Sequence, residues 1–74
     1  MNKYSAKFLL RVADTFKDLS EISAKQFEDT GDSFFEERMQ AYTIAAFDIE
    51  RHIEENFNGN ISELSDGRDT EISF

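Results

Sequence analysis

The sequence contains no proline and no cysteine, and only three of its 74 residues are glycine. The absence of cysteine excludes disulfide bonds and thiolate metal sites, and a lone histidine cannot form a zinc site by itself. Residues that make tight turns are too scarce for a β-rich or loop-rich fold. The composition therefore favours an all-α protein.

Long hydrophobic runs are also missing, because Arg11 and Asp14 interrupt the apolar part of the N-terminal region. Membrane spans and signal segments need longer uninterrupted apolar stretches. We therefore expect a soluble, cytoplasmic protein with no membrane partner. A chain of this length is one domain near the size at which a single hydrophobic core is marginal, so we expect self-association to add buried surface.

Positive charge is scarce, since 8 Lys and Arg residues stand against 16 Asp and Glu residues and give a net charge of −8. The excess acid belongs to residues 28–74, which hold three basic and thirteen acidic side chains. Affinity for nucleic acid comes mainly from basic side chains that neutralise phosphates. Direct binding to nucleic acid is therefore not expected.

Apolar residues recur at spacings of three and four over about residues 3–29, which is the period of an amphipathic helix. Asn2 is a suitable N-cap residue, and Gly31 lies where a left-handed glycine ends a helix. The apolar stripe of this first helix contains Tyr4, Phe8, Leu9, Val12, Phe16, Leu19 and Ile22.

A second helix is predicted over about residues 33–57, starting with a capping box of Ser33 and Glu36 and ending before Gly59. Its apolar positions follow a heptad pattern through Phe35, Met39, Tyr42, Ala46, Ile49 and Ile53. A short connection between two helices of similar length predicts an antiparallel, coiled-coil-like hairpin over residues 1–59.

The turn near Gly31 sets the register of this hairpin. It places the bulky Phe16 opposite the small Ala46, a complementary pair that close packing favours, and it places Leu9 near Ile53. The same register predicts ion pairs between a basic set and an acidic set. These sets are Lys3, Lys7 and Arg11 in the first helix, and Glu50, Glu54 and Glu55 in the second.

Residues 60–74 show neither a helical nor a strand period, and they are polar and acidic. We expect them to form a flexible acidic tail. The alternatives are a short binding motif, suggested by the apolar Ile72 and Phe74 near its end, or a strap that folds back on the hairpin.

Several large apolar residues lie away from the predicted seam of the hairpin. Two paired helices cover only one face of each other, so apolar side chains on the remaining faces need another partner. We predict an interface, most simply in a homodimer that completes a four-helix bundle. The predicted interface residues are Leu10, Phe34, Ile44 and Phe47.

An acidic surface is predicted on the second helix at Asp48, Glu50, Glu54 and Glu55. The carboxylates around the predicted turn do not match a calcium-binding loop, and we interpret them as solvated charge. His52 has neighbouring carboxylates but no nucleophile and no second histidine. The sequence therefore predicts no catalytic residue, no metal site and no cofactor.

These features favour a non-enzymatic adaptor or inhibitor that binds a target protein through apolar and acidic helix faces. An acidic nucleic-acid mimic that blocks a DNA- or RNA-binding enzyme is the first alternative. A small-ligand-binding oligomeric bundle, with a pocket built from His52, Tyr42 and Arg38 of neighbouring chains, is the second. In composition and architecture only, the chain resembles small acidic helical hairpins among phage-encoded inhibitors and bacterial regulatory proteins.

Overall fold

The computed structural model describes residues 2–73, so Phe74, which the sequence places at the apolar end of the predicted tail, lies outside the described residues. The two long helices pack against each other as the antiparallel hairpin that the sequence predicts. Five elements follow one another along the chain: β1 (Lys3–Ser5), α1 (Ala6–Thr30), α2 (Ser33–Asn56), α3 (Ser62–Ser65) and β2 (Glu71–Ser73).

The turn between α1 and α2 forms where it is predicted, but the cap of α2 differs by one residue. Gly31 has a φ of 70°, and its N–H donates to the Phe27 carbonyl oxygen at 2.7 Å. The N-cap of α2 is Asp32, whose carboxylate accepts a hydrogen bond from the Phe34 N–H at 3.0 Å. The predicted capping box starting at Ser33 is therefore wrong, because the carboxylate one residue earlier takes the cap position.

Helix α1 begins later than predicted, because the first residues of the chain form a strand. Its N-cap is Ser5 and not Asn2, and the Ser5 Oγ accepts a hydrogen bond from the Phe8 N–H at 3.4 Å. Strand β1 pairs antiparallel with β2, with Tyr4 opposite Ile72. Helix α2 ends at Asn56, with Phe57 as its C-cap residue.

Contacts along the seam agree with the predicted register to within one helical turn. The Ser20 and Thr43 hydroxyl oxygens lie 2.7 Å apart, and the ring of Phe16 stacks on that of Tyr42 with centroids 5.9 Å apart. Ala46 is buried in the seam. Small residues at the centre of the seam let the two helix backbones approach closely.

The predicted ion pairs between the N-terminal basic residues and α2 do not form. Glu50 pairs instead with Lys17, and this hydrogen bond raises the pKa of the lysine above its ordinary value. Lys7 and Arg11 border a cleft beside Leu64 of α3. The basic start of α1 therefore faces the C-terminal segment. The helical period of the sequence did not predict this position of the C-terminal segment.

Residues 60–73 differ from the predicted flexible tail, because they fold back across the open end of the hairpin; we call them the strap. Arg68 pairs with Glu63 at 2.6 Å and lies over the ring of Phe57, 5.0 Å from its centroid. Two apolar side chains of the strap join the core. That core consists of Ala6, Leu9, Ile53, Phe57, Leu64 and Ile72, all buried.

Asp69 ties the strap to the start of α1. Its carboxylate accepts hydrogen bonds from the Ser5 Oγ at 2.5 Å and from the Lys7 N–H at 3.0 Å, while the Ala6 N–H donates to the Thr70 carbonyl oxygen at 2.7 Å. These bonds satisfy N–H groups that the first turn of a helix leaves unpaired, and the carboxylate lies at the positive end of the helix dipole. The Ser5 hydroxyl, followed by the Lys7 N–H, lowers the pKa of Asp69.

Burial of the strap predicts that Ile72→Ala lowers the free energy of unfolding by about 2–5 kcal/mol, because the variant leaves a cavity in the core. The matched control is Ile22→Ala, since Ile22 is 54% exposed and Ile72 only 1%. Substitutions on the surface change stability by no more than about 0.5 kcal/mol. Urea unfolding followed by circular dichroism measures the free energy of unfolding of both variants. Equally small decreases for Ile72→Ala and Ile22→Ala would indicate a flexible tail.

The hydrogen bonds of Asp69 predict that acid weakens the strap. Because the folded pKa is lowered, the ionised carboxylate stabilises the fold above its unfolded pKa of about 4, and this contribution is lost as the pH falls through the folded value. Asp69→Asn should lower the urea midpoint at pH 7, and its difference from the wild type should shrink below pH 4. Asp66→Asn, an exposed neighbour, is the control. A constant difference at all pH values would contradict this assignment.

The seam predicts that Ala46→Phe destabilises the protein by about 1–3 kcal/mol, since an extra ring has no space between the two helices. Ala46 is 1% exposed and lies in the same seam as the buried Ala13. Thermal or urea unfolding measures the effect. A variant as stable as the wild type would show that the helices pack in another register.

Candidate functional site

Contacts between α1 and α2 divide the hairpin into two faces. The stacked rings of Phe16 and Tyr42 lie on one face, and the ion pair of Lys17 and Glu50 lies on the other. A helix turns by 100° per residue, so these contacts assign the remaining side chains of each helix to one face or the other. The two faces differ sharply in chemistry.

The face that carries the ring stack is apolar, and three of its aromatic side chains are well exposed: Tyr4, Phe8 and Phe34. Tyr4, Phe8, Leu9, Val12 and Ile49 line an open groove of about 340 Å³ there. Helix α3 lies against Leu10 on the opposite face and does not cover this groove. We call this surface the apolar face: Tyr4, Phe8, Val12, Phe16, Leu19, Phe34, Tyr42, Ala45 and Ile49.

Charge is nearly absent from the apolar face. Over Ala6–Thr30, all of which is described, every charged side chain lies by its helical position on the other face or on the outside of α1. On α2 the face carries Arg38, whose guanidinium lies 5.7 Å from the ring centroid of Phe34 and donates to the Tyr42 hydroxyl at 2.7 Å. The rings thus hold this charge in one position.

The four predicted interface residues do not form one surface. Phe34 lies on the apolar face, whereas Leu10 packs partly against the core beside Leu64 of the strap. Ile44 projects outward from α2, and Phe47 lies between Ile44 and Glu50 around the helix; each of the two apolar side chains is 60% exposed. The hairpin alone leaves Leu10 uncovered, as expected, but the strap supplies a partial cover, so Leu10 is half-buried.

Charged side chains surround Phe47, which lies between the outside of α2 and the face that carries the Lys17–Glu50 ion pair. Phe47 lies in an open cleft of about 300 Å³ whose other lining residues are Asp48, Glu50, Arg51 and Glu54. We call this region the outer surface of α2: Ile44, Phe47, Asp48, Arg51, Glu54 and Glu55. It contains three of the four residues of the predicted acidic surface, and Glu50 borders it.

Pairing reduces the charge of this acidic surface. Asp48 accepts a hydrogen bond from Arg51 at 2.9 Å, and Glu50 binds Lys17 across the helix pair. Glu54 and Glu55 are exposed. Two of the four predicted carboxylates therefore hold a basic partner within the chain, and the row of negative charge along α2 is interrupted.

The residues proposed for a ligand pocket do not converge within one chain. His52 Nε2–H donates to the Ser73 carbonyl oxygen at 2.8 Å, so this histidine holds the strap. Arg38 and Tyr42 contact each other about three helical turns away. Within residues 2–73, no group of three or more histidine or carboxylate side chains is placed to hold a metal ion.

Among the described helices, none has both the length and the apolar character that a bilayer crossing requires. The chain matches no protein-family model, no curated protein and no solved structure. Two surfaces of the hairpin hold more than one large, well-exposed apolar side chain, the apolar face and the outer surface of α2.

Proposed function

We propose that this protein is a non-enzymatic protein–protein interaction module, a small acidic adaptor or inhibitor that binds a target protein through the outer surface of α2. The observation that carries this proposal is the position of Phe47, a large apolar side chain that is 60% exposed and lies among three carboxylates and one guanidinium, those of Asp48, Glu50, Glu54 and Arg51. Ile44, which is also 60% exposed, adjoins Phe47 on the helix surface, and contiguous exposed apolar side chains with a polar rim mark interaction sites.

An apolar centre with a polar rim is the usual anatomy of a protein interface. Ile44 precedes Phe47 by three residues, so the two side chains are neighbours on the helix surface. Aromatic residues at such centres supply much of the binding energy, while charges at the rim steer association and select partners. The carboxylate rim favours a target whose own surface combines an apolar pocket with basic residues.

The alternative of nucleic-acid mimicry has weaker support. A mimic presents an unbroken row of negative charges, whereas Lys17 and Arg51 neutralise two carboxylates of this row. Ile44 and Phe47 also have no counterpart in a phosphate backbone. A phage or bacterial regulatory origin and a cytoplasmic location stay predictions from composition.

The decisive measurement is the affinity of purified target for surface variants of this protein, after the target has been captured with the intact chain and identified. Phe47→Ser should weaken binding at least about tenfold, as truncation of a central aromatic side chain costs about 2 kcal/mol or more. The control is Ile22→Ser, because Ile22 is 54% exposed on the outside of α1. Titration calorimetry at 0.15 M salt provides the affinities.

Equal affinity of the Phe47→Ser variant and the wild type would contradict the proposal. Mimicry makes the opposite prediction: binding that is insensitive to Phe47→Ser but falls steeply between low and high salt. The proposed interface should show a moderate salt dependence, because its rim is charged and its centre is apolar.

A further inference from the structure

We propose that the apolar face binds a second copy of this chain, in an antiparallel arrangement that places α2 of one copy against α2 of the other. This inference goes beyond target binding, because it uses the opposite side of the molecule. Target binding needs Ile44 and Phe47, whereas the dimer needs Phe8, Phe34 and the Ala45 region of α2.

The shape of the chain supports a second layer. The principal extents are 42 × 27 × 15 Å, so the hairpin is a slab about one helix thick. Folded domains usually bury their helix faces between two layers. The strap adds cover at one end of the other face, next to Leu10 and Leu64, and leaves the groove of the apolar face open.

The size of the apolar face matches the requirement of a stable dimer. The face extends about 35 Å along helices of this length and about 20 Å across two neighbouring helices. That corresponds to roughly 700 Å² per chain, close to the ~800 Å² that each partner buries in an interface of standard size. Two such slabs placed face to face form a four-helix bundle.

The distribution of charge permits contact between identical chains. A chain of net charge −8 repels its own copy unless its charges lie away from the contact. Over Ala6–Thr30, the charged residues all lie off the apolar face by their helical position. Apolar burial is therefore not opposed by like charges at close range.

The guanidinium of Arg38 on the apolar face selects the orientation of the second copy. Arg38 lies seven residues, about two turns, before Ala45, which is near the middle of α2. An antiparallel copy with α2 against α2, related by a twofold axis near Ala45, separates the two Arg38 residues by about 21 Å along the helices. A copy rotated to place α1 over α2 instead holds the two Arg38 residues at the same level, roughly 10 Å apart, where like charges repel each other.

Small side chains allow the two α2 helices to approach each other at this position. Ala45 lies at the middle of α2 on the apolar face, between Phe34 toward the turn and Ile49 toward the open end, and Ala41 lies one turn before it at the border with the outer surface of α2. Helix axes approach most closely where the side chains between them are small. Ala45 therefore lies near the twofold axis of the proposed dimer.

Disulfide trapping tests this arrangement, because the chain has no cysteine of its own. Ala45→Cys places one thiol per chain near the twofold axis, and it should form disulfide-linked dimers rapidly under mild oxidation of purified protein. The matched control is Ile44→Cys, one residue earlier on the outer surface of α2, which should remain monomeric on a non-reducing gel. Equal rates for the two variants would overturn the proposal, because disulfides require Cβ atoms within about 4.5 Å.

Sedimentation equilibrium provides an independent test. The wild-type protein should be dimeric at concentrations of tens of micromolar. Phe8→Glu should shift the equilibrium to monomer and increase the dimer dissociation constant at least tenfold. Glu is a good helix former and Phe8 is 49% exposed, so the variant should keep its helical circular dichroism spectrum. The control is Phe47→Glu on the outer surface of α2, which should remain dimeric.

A wild-type monomer at these concentrations would overturn the dimer, as would a dimer that Phe47→Glu disrupts and Phe8→Glu does not. These measurements use the purified protein alone. Their failure therefore leaves target binding through Phe47 intact, and loss of target binding in Phe47→Ser leaves the dimer intact.

Discussion

Enclosure of apolar side chains at the open end of the hairpin is the constraint on which the rest of the structure depends. Two helices alone can bury small residues between them, and toward the middle of the seam the buried residues are indeed Ala13 and Ala46. A large side chain between two helices is fully buried only when a third element of the chain also packs against it. The largest fully buried residues are Ile53, Leu64 and Ile72, all at the end where the strap meets both helices.

The strap that completes this core also determines which surfaces of the hairpin stay exposed. Its hydrogen bonds to the first turn of α1 and to His52 hold it at the open end, and α3 lies on the face that contains Leu10. The apolar face is left uncovered, with Phe8 and Phe34 well exposed. The strap therefore covers one end of the face that contains Leu10 and leaves the whole apolar face exposed.

Long elements with a repeating apolar pattern could be predicted from the sequence, and short elements could not. Both helices and the glycine turn were predicted to within a few residues, since many positions contribute to a 3.6-residue period. Strands of three residues have no detectable period, so β1 and β2 were missed, and residues 60–73 were expected to form a tail, with a strap that folds back on the hairpin only as an alternative. The cap of α2 was placed one residue late because Asp32 and Ser33 are both good N-cap residues.

The sequence by itself determined the two helices, their pairing and the concentration of charge on one side of α1, because these depend on residues a few positions apart. Only the tertiary structure decided the fate of the C-terminal segment and the division of exposed apolar residues between two faces. The Ser5–Asp69 hydrogen bond joins residues 64 positions apart, and Leu10 lies beside Leu64, more than fifty residues away. No local pattern encodes such contacts, since they arise from how already formed elements fit together.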